Sequence, residues 1–94
     1  MKIGVPKEIK TQEYRVGLTP ESVHELVRAG HEVVVETSAG MGLGAPDAAY
    51  EKAGAKILPT AAAVFAEAEM IVKVKEPQPV ECAMLTSRHT LFTY

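Results

Sequence analysis

Cysteine is nearly absent from this sequence: Cys82 is the one example in 94 residues. An internal disulfide is thereby excluded, and so is a metal site built on paired cysteines. A reducing, cytoplasmic setting fits that usage best. Long apolar runs are missing as well. The longest, residues 61–66, falls far short of the roughly 20 residues that a helix needs to cross a bilayer. The opening Met1-Lys2-Ile3-Gly4-Val5-Pro6 is not a signal peptide, because Gly4 and Pro6 interrupt its apolar run. An excess of positive charge is also lacking. The net charge is −2, which points away from nucleic acid and from an anionic membrane as partners.

Several catalytic signatures are missing too. None of Ser22, Ser38 and Ser87 stands in a G-x-S-x-G context, so no nucleophile is indicated. His24, His31 and His89 are dispersed, and no two of them have metal-ligand spacing. Solvated or capping roles are expected for all three, and no metal site. Cys82, beside Ala83 and Met84, is expected to be a small buried hydrophobe.

What is present is an ordinary globular composition, 47% apolar and 23% charged. The length allows one domain at most, and a chain of this size buries only about 60–65% of the surface its unfolded form exposes. Strand-like and helix-like stretches alternate. Lys2–Val5 reads as a short buried strand ended by Pro6. Thr19 is a good N-cap, Pro20 suits the first helical position and Glu21 suits the positive end of the helix dipole. Val23, Leu26 and Val27 give that helix one apolar face, and Gly30 stops it. Glu32–Glu36 is a second strand. A glycine-rich loop over residues 40–45 leads to a short helix over 46–53, then a weak strand at Lys56–Leu58. Thr60 caps an alanine-rich helix running to Glu67. Residues 70–75 form a fourth strand, Pro77 and Pro79 force a turn, residues 80–85 form a short helix, and Thr90–Thr93 is a fifth strand.

This alternation predicts an α/β domain around a parallel sheet. The flavodoxin-like order 2-1-3-4-5 is the first expectation and the Rossmann-like order 3-2-1-4-5 the second. The sequence closes on the apolar run Thr90-Leu91-Phe92-Thr93-Tyr94. A strand in that position needs a partner or a cover, so residues 1–94 are expected to be the N-terminal piece of something larger, incomplete at the C-terminal end.

A parallel sheet gathers the carboxyl ends of its strands at one edge, and ligands bind in the crevice outside it. Connectivity alone brings Lys7, Lys10 and Arg15 there from the loop after the first strand, and Lys73 and Lys75 from the fourth. In a continuous strand Ile71, Lys73 and Lys75 share a face. Two ammonium groups on a covered face are costly unless each meets water or an anion. An arginine and a lysine in one crevice suit a small carboxylate, which arginine can grip with paired hydrogen bonds. The competing reading makes Arg15 a solvated loop residue and pairs Lys73 with Glu76 or with a helix carboxylate. The loop Gly40-Met41-Gly42-Leu43-Gly44-Ala45 matches G-x-G-x-x-A after a strand. Its following helix is short, though, and the next strand ends in Pro59 with no acidic residue to hold a ribose. A tight turn with close backbone packing is the better account.

Four blocks carry a family resemblance. Met1-Lys2-Ile3-Gly4-Val5-Pro6-Lys7-Glu8-Ile9-Lys10 and Glu13-Tyr14-Arg15-Val16-Gly17-Leu18-Thr19-Pro20 resemble the opening of bacterial alanine dehydrogenases. Ile71-Val72-Lys73-Val74-Lys75-Glu76-Pro77 and Leu91-Phe92-Thr93-Tyr94 resemble later blocks of the same domain. The resemblance spans the whole chain with the blocks in order. The α-subunit of nicotinamide nucleotide transhydrogenase is related and shares the Arg-Val and Lys-Val blocks. The Tyr14 block, the Lys-Glu-Pro sequence and the Leu-Phe-Thr-Tyr ending look more like the dehydrogenase.

The resemblance implies oxidative deamination of L-alanine with NAD to pyruvate and ammonium, within an oligomer, commonly a hexamer. It implies that Arg15 holds the substrate carboxylate, and that Lys75 contacts the substrate and helps to polarise the carbonyl or imine. By the same resemblance, the family's catalytic histidine falls two positions beyond Tyr94, and the NAD-binding domain and a catalytic aspartate come later. No cofactor-binding residue is therefore expected within residues 1–94. His89, which precedes the fifth strand, belongs to the opposite edge and is no substitute for that histidine. Two alternatives stay open: the matching piece of a transhydrogenase subunit, and a non-enzymatic module that binds a small ligand or a partner. Two positioned cations without a general base or a hydride acceptor have nothing to catalyse. The pure 94-residue chain, given L-alanine and NAD, should form no NADH in a spectrophotometric assay. Alanine-dependent NADH would overturn the incomplete-enzyme reading.

Overall fold

A computed structural model of the protein describes residues 1–9 and 15–93. Five strands form one sheet: β1 (Lys2–Val5), β2 (Glu32–Glu36), β3 (Lys56–Leu58), β4 (Met70–Lys73) and β5 (Thr90–Thr93). Among the described residues, the helices are α1 (Pro20–Arg28), α2 (Asp47–Lys52), α3 (Ala61–Glu67) and α4 (Pro79–Cys82), with a 3₁₀ turn at Met41–Leu43. Every pairing is parallel, as the alternating pattern predicts.

The strand order is β3-β2-β1-β4-β5. The flavodoxin-like expectation is therefore corrected to the Rossmann-like one, and the reason lies in which face each helix covers. Ile3 and Val5 of β1, with Val33 and Val35 of β2, face α1 and α2 in a core that includes Val23 and Tyr50. Val34, Leu58 and Ile71 face the other way, onto Val64, Phe65 and Ala68 of α3 and its end. Crossovers of one hand that step outwards from β1 to β3 put α1 and α2 on the first face. The return crossover to β4 then puts α3 on the second. Gly4 permits that return. A Cβ there would lie 2.6 Å from the Ala68 Cβ and 2.8 Å from the Val64 Cγ1, so α3 lies across β1 only because β1 has no side chain at that point. The strand order reverses between β1 and β4, whose carboxyl ends mark the topological switch point.

The caps follow the sequence. The Thr19 hydroxyl accepts the Ser22 N–H at 3.3 Å, and that of Thr60 accepts the Ala63 N–H at 3.1 Å. Gly30 leaves α1 with φ of 96°. Arg88 and His89 serve the far end of α3. Arg88 Nη2 donates to the Ala66 carbonyl at 2.9 Å and His89 Nε2 to the Phe65 carbonyl at 2.6 Å, satisfying oxygens that a helix end leaves without partners. His89 thus caps a helix on the amino edge of the sheet, away from the crevice. β5 is an exposed edge strand, with Leu91 40% and Phe92 54% accessible.

β4 and α4 differ most from expectation, and α2 is a residue shorter at each end than the expected 46–53. β4 ends at Lys73 instead of residue 75, because the Val74 and Lys75 N–H groups are turned to a carboxylate. The alternation that puts Ile71 and Lys73 on one face therefore does not continue to Lys75. α4 starts at Pro79 and ends at Cys82, in place of 80–85. In that register Glu81 is buried and Cys82 is exposed, which corrects the expectation of a buried cysteine. The Cys82 thiol meets a distant carbonyl, that of Pro77, at 3.7 Å.

Replacing Gly4 with alanine should drive the new methyl into α3. The expected loss is about 1–3 kcal/mol of unfolding free energy, as for other overpacked cores, read as a lower urea midpoint at unchanged slope. An unchanged midpoint would mean that α3 moves away at no cost.

Candidate functional site

The carboxyl edge is organised by a buried ammonium. Lys73, in the apolar run Met70-Ile71-Val72-Lys73, is 1% exposed. An ion so deeply buried requires partners, and two carboxylates supply them. Glu8, from the turn after β1, lies 2.9 Å from the Lys73 Nζ, and Glu81 of α4 lies at 3.0 Å. Glu81 Oε1 accepts the Gln78 N–H at 2.9 Å and so fixes the start of α4. Its Oε2 contacts Lys73 as an ion, off the direction of a formed hydrogen bond. Glu8 does more: its Oε2 accepts the Val74 N–H at 3.0 Å and its Oε1 the Lys75 N–H at 3.2 Å. The one carboxylate joins the exit of β1 to the exit of β4.

Arg15 is carried on a separately anchored segment. Val16 is buried in the core. Gly17 presses on β4 so closely that a Cβ would stand 2.4 Å from the Val72 carbonyl oxygen. The Tyr50 hydroxyl, from α2, donates to the Leu18 carbonyl at 2.8 Å. Burial, and secondarily the negative charge of Glu21, push the Tyr50 phenol up to about 12, so it stays a donor through the neutral range.

The third wall follows β2. Ser38 takes a left-handed φ of 65°, uncommon for a residue with a side chain. Asp47 holds it there, accepting the Ser38 N–H at 2.8 Å and the Thr37 hydroxyl as well. Glu36, at the end of β2, accepts the Lys7 N–H at 2.8 Å. Between these turns lies a cavity of about 340 Å³, lined by Lys7, Glu8, Arg15, Ser38, Ala39 and the 3₁₀ turn.

Of the cations expected at this edge, the structure brings Lys7 and Arg15 to one crevice. Lys75 sits half-buried at the bend after β4, outside that lining. Lys73 is turned into its two carboxylates, so the pairing with a helix carboxylate, that of Glu81, is realised. Lys10, Glu13, Tyr14 and Tyr94 lie outside the described residues. Glu8 was not singled out by the sequence reading. A lysine inside an apolar strand requires a carboxylate, but nothing local says that it comes from sixty-five residues earlier.

The glycine loop is a packed turn. Gly44 has φ of 74°, and a Cβ on Gly40 would meet the Ala45 oxygen and the Tyr50 ring, both at 2.6 Å. At the start of α2, the Asp47 carboxylate already takes the Ser38 N–H and would repel a pyrophosphate. These residues do not fit a dinucleotide. Among the described residues, no group of three histidine, cysteine or acidic side chains could hold a metal ion, and no helix is long and apolar enough to cross a membrane.

Comparison with known proteins places this architecture. A family model described as "Alanine dehydrogenase/PNT, N-terminal domain" matches residues 4–94. The alanine dehydrogenase of Halomonas elongata is 54% identical over 94 residues, covering 100% of this chain and 25% of the relative. A solved L-alanine dehydrogenase superposes with a TM-score of 0.96 at 54% identity, over 100% of this chain and 26% of its own. A transhydrogenase from Sinorhizobium meliloti superposes at 0.91 with 38% identity, over 99% of this chain and 26% of its own. The chain thus spans about a quarter of the length of these relatives.

Because the Tyr50 phenol is raised in the folded state from 10 to about 12, its contribution to stability is complete below pH 10 and is lost as the pH rises through 12. Unfolding between those limits should release up to about one proton per molecule. Tyr50→Phe should flatten that alkaline fall in stability and cost about 1 kcal/mol near neutrality for the lost hydrogen bond. Denaturant midpoints measured across the alkaline range for both proteins provide the check; parallel curves would refute the assignment.

Proposed function

We propose, from the premise that the chain belongs to the alanine dehydrogenase/PNT N-terminal domain family, that residues 1–94 are the substrate-holding part of an alanine dehydrogenase. The complete reaction takes L-alanine, NAD and water to pyruvate, ammonium, NADH and a proton. The single observation that carries this reading is the cavity at the carboxyl ends of β1 and β2, which Arg15 and Lys7 line beside Glu8, the carboxylate that also holds the Lys75 bend.

The chemistry follows from those positions. The Arg15 guanidinium offers paired donors to the substrate carboxylate and sets its orientation. The Lys75 ammonium, approaching from the β4 side, stabilises negative charge on the carbonyl oxygen or polarises the imine as water adds. NAD is held by a part of the enzyme outside this chain, and so is the group that moves the proton. The remainder of the enzyme is thus the first partner, and a cytoplasmic homo-oligomer the expected setting. A second reading is the corresponding piece of a transhydrogenase, supported by the close superposition on that protein. It is the weaker one, since the dehydrogenase shares 54% of residues and the transhydrogenase 38%.

In the full-length enzyme, Arg15→Ala should raise KM for alanine about 10- to 100-fold, the value of a charge-assisted pair. Lys75→Gln should lower kcat about 100- to 1000-fold, as for loss of a donor to a developing oxyanion. Steady-state kinetics of alanine-dependent NADH formation decides. Wild-type constants in both variants would refute the site. Hydride exchange between nucleotides with no turnover of alanine would select the transhydrogenase reading.

A further inference from the structure

We infer that Glu8 is a positioning residue for Lys75: its buried carboxylate fixes the bend from which the Lys75 side chain starts. The inference rests on the substrate reading above, in which Lys75 acts at the reacting carbon.

Three observations converge on it. Glu8 accepts the backbone N–H of Lys75 itself and that of Val74, so the carboxylate ends the β4 ladder and sets the direction of the chain at Lys75. Glu8 also lines the same cavity as Arg15, so the side chain that holds the Lys75 bend borders the crevice directly. Its charge is offset by Lys73, which shares its ammonium between Glu8 and Glu81. An ionic cluster of this kind is a poor way to gain stability, since apolar packing of similar volume does as well or better. An apolar side chain at position 8, however, could not hold two N–H groups off the sheet. Geometry at a reacting centre is sensitive enough to make that hold matter, because a displacement of about 1 Å can cost about 100-fold in rate.

The test is a double-mutant cycle in the full-length enzyme with Glu8→Gln, Lys75→Gln and the combination, using steady-state kinetics alongside thermal unfolding. Glu8→Gln should lower kcat about 10- to 100-fold while KM for alanine changes by less than about threefold, since Arg15 is anchored separately. In the Lys75→Gln background the same substitution should change kcat by less than about twofold, because its target is gone. An equal fall in both backgrounds would show a merely structural role and overturn the inference. A damaging Lys75→Gln beside a silent Glu8→Gln removes this inference alone, whereas a silent Lys75→Gln removes the substrate reading and this inference with it. Glu8→Asp keeps the charge beside Lys73 but shortens the reach by one methylene. It should lose kcat about tenfold with the same dependence on Lys75, and full kcat in that variant would also overturn the inference. If neither Glu8 variant folds, the carboxylate is a structural requirement and the positioning role is withdrawn.

Discussion

An ammonium with almost no access to water sits at the end of the central pair of strands, and the carboxyl edge is built around accommodating it. Lys73 could not occupy an apolar strand without anions, and the two that meet it arrive from opposite directions along the chain. Glu8 comes from the first turn of the protein and Glu81 from the last helix. Each carboxylate also fixes backbone: Glu8 the bend at Val74 and Lys75, Glu81 the start of α4 at Gln78. One buried charge therefore determines where β4 stops, how α4 begins and how the exit of β1 is held. Removing one member of such a cluster leaves the others uncompensated, typically at about 3–5 kcal/mol, so these three features stand or fall together.

The crevice depends on this because its walls come from loops, which have no ladder of their own to hold them. Different local chemistry secures each wall. The Arg15 segment is held by close contact at Gly17 and by the Tyr50 hydroxyl. The Ser38 turn is held in a left-handed conformation by Asp47. Beyond the lining, the Lys75 bend is held by Glu8. Gly4 contributes from below, since the absence of a side chain there lets α3 cross β1, where the strand order reverses.

What could be read from the sequence divides along physical lines. Local signals were sound: Thr19 and Thr60 cap their helices, Gly30 ends α1, and the glycine run at 40–45 is a packed turn. The parallel α/β class followed from alternation alone. The strand order did not, because it turns on Gly4 meeting Val64 and Ala68 some sixty residues away, and a lone glycine in a strand carries no label for that contact. The meeting of Lys7 and Arg15 in one crevice followed from connectivity. The cluster beneath it was legible only in part: a helix carboxylate was one expected partner of Lys73, as Glu81 proves to be, but Glu8 carries no local sign of its pairing, and only the fold makes the three neighbours. Cys82 shows the effect in reverse. Its apolar neighbours suggested burial, but the inward turn of Glu81 towards Lys73 reset the helix and left the thiol outside.

The two lysines of the fourth strand, two residues apart and chemically alike, have been given different surroundings. Lys73 remains inside the strand, where its alternation directs it into the carboxylates. Lys75 lies past the bend, released from that alternation because its N–H and that of Val74 are bound to Glu8 and not to a neighbouring strand. Had the ladder continued, both ammonium groups would have shared one face and competed for the same anions. Ending the strand between them separates their surroundings, one paired with carboxylates within the fold and one on the bend past the strand end. The carboxylate that makes the separation is the one that also pairs with Lys73, so the buried charge and the path of the chain after β4 are set by the same side chain.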